Sequence, residues 1–369
     1  GLASHDFQMG MGQKKVLLTR SARIENAPAV ASRWVQRLET LAGKQATKEL
    51  HKRGERYLHI VRAIEATENK PLEKRPNFAP PLYARPKHFS VTEIERLRRD
   101  PYAIYAKRIL DLKPLDPLTQ DPDAAERGTL IHKILEDITL AGLNYSNDDV
   151  AGEIQDIAAR VFEKVALPDD IEIIWRARFD ALVGALIEWE RGRDELGVTR
   201  YAEIRANKLP IADTGVTLGG RPDRLDQRRD GLIDIVDFKT GGAPSAKQVQ
   251  TLLAPQMPLE VALLKRGGFS DVNGDAAELL YITLGPTGKV DVKNVCGTGK
   301  NAVDANELGQ AAWERLVQII NYYADEKNGY ISRAVPALQH DSGGEYDHLA
   351  RVLEWSAGVD SDMDAGDAS

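Results

Sequence analysis

Cysteine is almost absent from this chain of 369 residues, since Cys296 is the only one. One thiol excludes an intramolecular disulfide, a zinc site built from cysteines and an iron–sulfur cluster held by four cysteines of the chain. Such a composition suits a reducing compartment. We therefore expect a cytoplasmic protein that carries no iron–sulfur cluster.

Long apolar stretches are also lacking. A membrane helix needs about 18 or more consecutive apolar residues, and the sequence has no such run. The first residues, Gly-Leu-Ala-Ser-His-Asp, have neither the basic nor the apolar region of a secretory signal. From these absences we expect no membrane partner.

Positive charge is in short supply too. Lysine and arginine number 49 against 56 acidic residues, which gives a formal net charge of -7. This balance argues against a protein whose whole surface binds nucleic acid. Much of the acidic excess lies at the C-terminal end, where residues 357–369 alternate aspartate with small residues that cannot build a core. We expect this tail to be disordered.

The rest of the composition is that of an ordinary globular protein, with 42% hydrophobic and 28% charged residues. A chain of this length exceeds one typical core, so two domains are expected. Prolines at 71, 76, 80, 81 and 86 prevent a continuous helix there. They predict a proline-rich linker over residues 71–89, between an N-terminal unit at 1–70 and a larger domain at 90–356.

In the N-terminal unit, Val16–Leu18 predict a strand, and the apolar spacing after Ser32 predicts a helix. Residues 1–70 contain no Gly-x4-Gly-Lys-Ser/Thr phosphate-binding loop. We therefore expect no ATP hydrolysis by this chain alone.

The larger domain has an α/β pattern of predicted elements. Ser90 and Glu93 have the spacing of a capping box that opens a helix, which Pro101 interrupts. Further helices are predicted over residues 124–142, 150–166, 172–196, 245–266 and 305–325. Strands are predicted over Tyr201–Leu209, Val216–Gln227, Leu232–Lys239 and Leu279–Thr283. His132 and Glu136 lie one turn apart on the first of these helices.

Asp230-Gly231 is a turn signal between two strand-like runs. A three-residue loop would place the glycine in the left-handed conformation that such a turn needs. Residues that face each other across this hairpin then have numbers summing to 460, and Asp223 and Asp237 meet that condition. We therefore predict that these two aspartates are cross-strand neighbours.

Two facing carboxylates repel each other unless a cation lies between them. Magnesium, or manganese in its place, suits oxygen ligands and leaves room for a substrate phosphate. Lys239 lies two residues after Asp237, so both point to one face of the strand, while Phe238 points to the other. Two carboxylates, a metal and an ammonium group together favour phosphodiester hydrolysis.

Each of these residues also has an ordinary structural interpretation. An aspartate such as Asp223 is often a turn or surface residue, His132 alone would more often be structural, and Gln256 alone would lie on a helix surface. The sequence Asp237-Phe238-Lys239-Thr240-Gly241 is more specific, because a buried strand that ends in charged residues needs partners for them.

Four motifs together resemble a known family. They are Gly128-x3-His132-x3-Glu136, Gly220-Arg221-Pro222-Asp223-Arg224-Leu225, Ile235-Val236-Asp237-Phe238-Lys239-Thr240-Gly241, and Gln256. In this order they resemble the RecB-like nuclease domains of the PD-(D/E)XK superfamily. The resemblance implies a restriction-endonuclease-like α/β core, with a mixed central sheet flanked by helices.

The resemblance also assigns roles. It implies that Asp223, Asp237 and the Phe238 carbonyl hold the metal and that His132 joins or supports them. Lys239 would be the catalytic lysine, and Gln256 would contact the substrate or the site.

Over nearly its full length the chain further resembles the C-terminal part of AddB-type subunits of helicase-nucleases. Val16-Leu17-Leu18-Thr19-Arg20 and Ser32-Arg33-Trp34 resemble their helicase-like end. This implies a helicase-like remnant at residues 1–70, an AddA-like partner subunit, and a magnesium-dependent deoxyribonuclease. The enzyme would act as an exonuclease on DNA ends in double-strand break resection. Arg20 and Arg33 are assigned no role.

Many AddB-type proteins resemble one another in an iron–sulfur staple, and the single cysteine cannot supply one. In its place we expect apolar packing of Tyr102 and Tyr105 against Leu349, Leu353 and Trp355.

Two other functions remain open at this point. The fold is compatible with a catalytically silent scaffold that binds DNA or a partner. It is also compatible with a sequence-specific endonuclease, although no basic stretch with interleaved aromatics offers a recognition element. Strand polarity, exonuclease or endonuclease preference, oligomeric state and activity without a partner do not follow from the sequence.

Overall fold

The computed structural model describes residues 2–24, 27–66, 74–113, 115, 122–297, 299, 302–335 and 344–356. The chain separates into two compact units, Gly1–Leu72 and Glu73–Ser369. The predicted acidic tail, 357–369, lies outside the described residues. None of the helices described in these ranges is long and apolar enough to cross a membrane.

The smaller unit is helical apart from one short hairpin in its described part. Its elements are α1 Leu2–Met11, β1 Arg23–Ile24, β2 Ala27–Pro28 and α2 Arg33–Glu65. The Ser32 hydroxyl accepts a hydrogen bond from the Val35 amide at 3.4 Å and caps α2. The strand predicted at Val16–Leu18 is wrong, because this exposed run has no partner strand to complete its backbone hydrogen bonds.

The larger unit is a mixed α/β domain, as predicted. Its described helices are α3 Val91–Arg99, α4 Pro101–Ile104, α5 Ala124–Ala141, α6 Val150–Phe162, α7 Asp169–Glu195, α8 Ala246–Gln250, α9 Gln256–Lys265, α10 Ala305–Ala324 and α11 Val352–Ser356, with a 3₁₀ turn at Leu82–Ala84 and a π-helical turn at Tyr105–Ile109. Its described strands are β3 Asn77–Phe78, β4 His88–Ser90, β5 Thr199–Ala202, β6 Leu209–Pro210, β7 Thr217–Gly219, β8 Arg224–Gln227, β9 Ile233–Lys239, β10 Ala276–Leu284, β11 Val290–Asn294 and β12 Tyr330–Ile331.

The central sheet has the strand order β11-β10-β9-β8-β5. Strands β9 and β10 run parallel, whereas the other neighbours are antiparallel, so the sheet is mixed. The predicted capping box is confirmed: the Ser90 hydroxyl accepts from the Glu93 amide, and the Glu93 carboxylate accepts from the Ser90 amide. Pro101 stands at the first turn of α4, where a missing amide proton costs nothing.

Three predicted elements are interrupted. The strand Val216–Gln227 is split between two sheets, β7 beside β4 and β6, and β8 in the central sheet. At the crossing, a Cβ on Gly220 would lie 2.7 Å from a Leu263 methyl group, so the chain needs glycine there. The helix over 245–266 is broken between α8 and α9, where Leu252 has a φ of +58° and Pro255 follows. The strand Tyr201–Leu209 ends at Ala202.

Each face of the central sheet carries its own core. Ile233 and Ile235 of β9 pack with residues of α3, α9 and α10 on one face. Val236 and Phe238, which alternate with them, pack with residues of α5, α6 and α7 on the other. The period of two along β9 therefore decides which side chains face which helical layer.

A buried ionic network joins α7 to the sheet. Asp226 and Asp234 are fully buried and lie directly opposite each other on β8 and β9. Arg193 of α7 binds both, with its Nε 2.9 Å from Asp226. Arg224 pairs with Glu190 of α7 at 2.6 Å. Removing one partner of such a network leaves an uncompensated buried charge.

The C-terminal segment packs on Tyr102 as predicted, and Tyr105 and Trp355 take part, but Leu349 and Leu353 do not. The cluster consists of Tyr102, Ala103, Ala106, Tyr346, Ala350 and Val352, with Tyr105 and Trp355 at its edge. Leu349 and Leu353 are 43% and 85% exposed. The prediction that they form the contact is wrong, because the turn that precedes α11 directs Tyr346 and Val352 inward instead.

We expect Tyr346→Ala to destabilise the larger unit by about 3 kcal/mol, because it empties a buried aromatic site. It also removes the hydrogen bond from the Tyr346 hydroxyl to the Leu112 carbonyl, 2.8 Å long. Leu353→Ala is the matched control and should leave the unfolding temperature unchanged. Thermal unfolding followed by circular dichroism measures both, and equal effects of the two variants would contradict the packing.

Candidate active site

The hairpin β8–β9 has the predicted register. Its backbone partners run from Gln227 opposite Ile233 to Arg224 opposite Val236, and every pair of residue numbers sums to 460. Gly231 has a φ of +86° in the connecting turn, which the left-handed position requires. Asp223 lies just before the first residue of β8, next to the end of the ladder.

Asp223 is the point at which several chain segments meet. Its Oδ2 accepts a hydrogen bond from the Phe238 amide at 2.8 Å. The same oxygen is 3.4 Å from Nδ1 of His132 on α5. The Asp223 carbonyl accepts from the Glu203 amide at 3.0 Å. A helix, a strand and two loops therefore converge on Asp223.

His132, Glu203 and Asp223 form a candidate metal-binding group. Each offers one ligand atom, and these atoms lie within 4.8 Å of one another. All three side chains are half-buried. Two carboxylates and an imidazole suit magnesium or manganese, with the nitrogen ligand better matched to manganese. The residues present therefore fit a divalent ion.

Glu203 is missing from the residues predicted from sequence. It falls inside the predicted strand Tyr201–Leu209, and nothing in its sequence neighbourhood marks it. In the structure its backbone turns to a φ of +50°, which is uncommon for a residue with a side chain. The Arg221 guanidinium binds both its carbonyl, at 3.0 Å, and its carboxylate. This turn directs the Glu203 carboxylate toward Asp223 and His132.

Asp237 and Lys239 lie beside this group on the same strand face. Asp237 is only 2% exposed. The Lys239 ammonium binds its Oδ2, and the Gln256 amide donates to its Oδ1 at 2.9 Å. Asp237 is thus held by lysine and glutamine, and the amide of the next residue, Phe238, donates to Asp223.

The electrostatics of these carboxylates are unfavourable without a cation. Burial raises the pKa of Asp237 to about 6, and the charge of Asp223 acts in the same direction while Lys239 opposes it. Burial alone would lower the pKa of His132, but Asp223 more than offsets this and the pKa is raised. Burial also raises the pKa of Glu203, against the effect of Arg221.

Gln256, the first residue of α9, also contacts a second acid that was not predicted. Its Nε2 lies 3.4 Å from Oε1 of Glu260, one turn later on α9. Glu260 is fully buried, and its Oε2 has no hydrogen-bond partner among the described residues. Burial raises its pKa well above the ordinary value, and Asp237 adds to the shift.

Phe238 and Glu136 lie next to site residues in sequence, and Phe238 faces the opposite side of the strand, as predicted. The Phe238 side chain packs in the core on the opposite face, with its ring 6.0 Å from that of Trp189. Glu136, one turn after His132, pairs with Lys133 at 3.0 Å and with Arg221 at 3.4 Å. Glu136 therefore holds basic side chains beside the candidate metal-binding group.

Comparison with known protein families identifies the domain. The model of the PD-(D/E)XK nuclease superfamily matches residues 88–333, which include every element that forms the site. The chain belongs to the PD-(D/E)XK nuclease superfamily. Members of this superfamily are nucleases in general, and they generally use divalent metal ions.

Similar PD-(D/E)XK sequences occur in Rickettsia. The protein RC0550 of Rickettsia conorii is 27% identical over 278 residues, covering 74% of this chain and 32% of that protein. A protein of Rickettsia bellii is 31% identical over 189 residues, covering 50% of this chain and 22% of that protein. Both relatives are uncharacterised. The chain thus spans a third or less of the relatives it matches.

One solved structure, described as the crystal structure of SSO0001, covers 63% of this chain and 76% of its own. Its TM-score is 0.24 and its sequence identity 10%.

We expect Glu203→Gln and Asp223→Asn each to weaken binding of magnesium and manganese by about 10-fold or more, because each removes the charge of a candidate ligand. Isothermal titration of the purified chain measures the affinities. Asp213→Asn, at an exposed turn, is the matched control. Wild-type affinity in both site variants would show that the ion binds elsewhere.

Proposed function

We propose that this chain is a magnesium-dependent deoxyribonuclease that hydrolyses phosphodiester bonds of DNA, with manganese as a possible substitute ion. The observation that supports this most strongly is the position of Lys239. Its ammonium binds Asp237 at the end of β9, and Asp223, His132 and Glu203 meet at the same strand end.

The side chains of the site have separate roles in the proposed hydrolysis. His132, Glu203 and Asp223 would hold a divalent ion, with Asp237 beside them. The ion, when bound, polarises a phosphate and lowers the pKa of a water molecule. Lys239 stabilises the negative charge that develops on the phosphate, and it can do so because Asp237 fixes its ammonium group.

Gln256 has a positioning role in this arrangement. Its amide donates to Oδ1 of Asp237, so it fixes the rotation of the carboxylate that holds Lys239. The Tyr281 ring, 5.6 Å from the Lys239 nitrogen, bounds the same space from the adjacent strand. A half-buried lysine confined by a carboxylate and an aromatic ring loses little freedom when the substrate arrives.

We further propose that the chain is the nuclease part of an AddB-like subunit. It would work with an AddA-like helicase-nuclease subunit as an exonuclease on DNA ends, in double-strand break resection and recombinational repair. The support for this is the sequence resemblance at Val16–Arg20 and Ser32–Trp34 and the order of the four nuclease motifs.

We expect Asp237→Ala and Lys239→Ala each to lower the rate of DNA cleavage by at least about 100-fold, because each removes charge from the reacting site. End-labelled linear and circular single-stranded DNA, incubated with and without magnesium, reports cleavage and its dependence on ends. Lys289→Ala, in the exposed β10–β11 turn, should cut like the wild type.

Two outcomes of this experiment would count against the proposal. Unchanged cleavage in both site variants would contradict the assigned site. DNA binding by the wild type without any cleavage under magnesium or manganese would instead favour the silent scaffold.

A further inference from the structure

The last turn of α3 carries three arginines, and one of them has a side chain without a partner among the described residues. Arg96 pairs with Glu345 at 3.2 Å, and Arg99 pairs with Glu95 at 2.8 Å. The Arg98 guanidinium has no hydrogen bond or ion pair with any residue in the part of the chain that the structure describes, and its Nη1 is buried. Basic residues are favourable at a helix C-terminus, but that effect does not require a buried nitrogen atom without an acceptor.

A second arginine lies against the same place. Arg98 and Arg315 of α10 line one hollow, together with the apolar residues Ile94, Leu252, Pro255, Leu259, Ala312, Leu316 and Ile319. None of the described residues that line the hollow is a carboxylate. Burial lowers the pKa of Arg98, and the charge of Arg315 lowers it further. Two like charges next to each other without an acid are unfavourable unless an anion joins them.

The start of α9 links the hollow to the candidate active site along the chain. Pro255 lines it, and the next residue is Gln256, whose amide binds Asp237. Consecutive Cα atoms are about 3.8 Å apart, so one peptide unit separates the two features along the chain. On the site side of α3, Arg99 and Glu95 act electrostatically on Tyr281, next to Lys239.

We propose that Arg98 and Arg315 form a phosphate-binding subsite for the DNA strand, one that holds a backbone phosphodiester next to the one that is cut. This proposal rests on the proposed function. The cavity of about 10 Å³ is too small for a nucleobase. The two guanidinium groups can therefore bind only a group that lies at the opening of the hollow. Two oxygen atoms of a phosphate match the paired N–H groups of a guanidinium. Such a contact positions the strand without reading its sequence.

The test measures DNA binding apart from cleavage. A fluorescein-labelled oligothymidylate of about 15 nucleotides is titrated with the full chain in EDTA, over a range of salt concentrations. For single strands the slope of log affinity against log salt is about 0.7 per phosphate contact. We expect Arg98→Gln and Arg315→Gln each to weaken binding and to reduce the slope by about that amount.

The controls separate a phosphate contact from a structural role. Arg98→Lys keeps the charge and should restore most of the slope. Arg178→Gln, an exposed position of α7 on the other side of the sheet, should bind like the wild type. With magnesium present, the two glutamine variants should raise KM for DNA cleavage and leave kcat unchanged, as expected for loss of a uniform binding contact.

The outcomes of this test and of the cleavage test are distinguishable. Wild-type slopes and wild-type KM in both glutamine variants overturn the subsite, even if the chain cuts DNA. Reduced slopes in a chain that binds but never cuts DNA support the subsite and contradict the nuclease proposal. Equal loss in Arg98→Lys and Arg98→Gln, with a lowered unfolding temperature, assigns Arg98 a structural role and overturns the subsite.

Discussion

The register of β8 against β9 is the constraint on which the site depends. Side chains alternate along a strand, so a slip of β9 by one residue would exchange the two faces of β9. Asp237 and Lys239 would then point into the core beneath α7, and Phe238 would point to the site. The turn at Gly231 and the buried pairing of Arg193 with Asp226 and Asp234 both favour the observed register over any other.

The hairpin places acids together on both of its faces, and the two pairs are stabilised differently. Asp226 and Asp234 are fully buried, and arginines neutralise them permanently. Asp223 is half-buried, and its neighbours are an imidazole, a second carboxylate and a backbone amide. The first pair contributes to the fold. On the second face, the ligand atoms of Asp223, Glu203 and His132 lie within 4.8 Å of one another, and a cation could reach these half-buried groups.

Local signals in the sequence were sufficient for much of this structure. The hairpin register follows from the Asp230-Gly231 turn, and the start of α3 follows from Ser90 and Glu93. The same facing-acid argument selects Asp226 and Asp234 as well as Asp223 and Asp237, so it does not separate a structural pair from a site. Glu203 was missed because its position depends on contacts with Asp223 and Arg221, which are distant in sequence. The contacts of Leu349 and Leu353 were also predicted wrongly. Composition alone does not show which side chains the turn before α11 directs into the core.

The left-handed backbone at Glu203 has a consequence for how an ion would bind. The Asp223 carbonyl and the Arg221 guanidinium already hold this residue in its uncommon conformation. The ligand atoms of Glu203 and Asp223 are therefore held close together by the fold itself. A cation that bound there would cost little conformational entropy and would stabilise the folded chain by mass action.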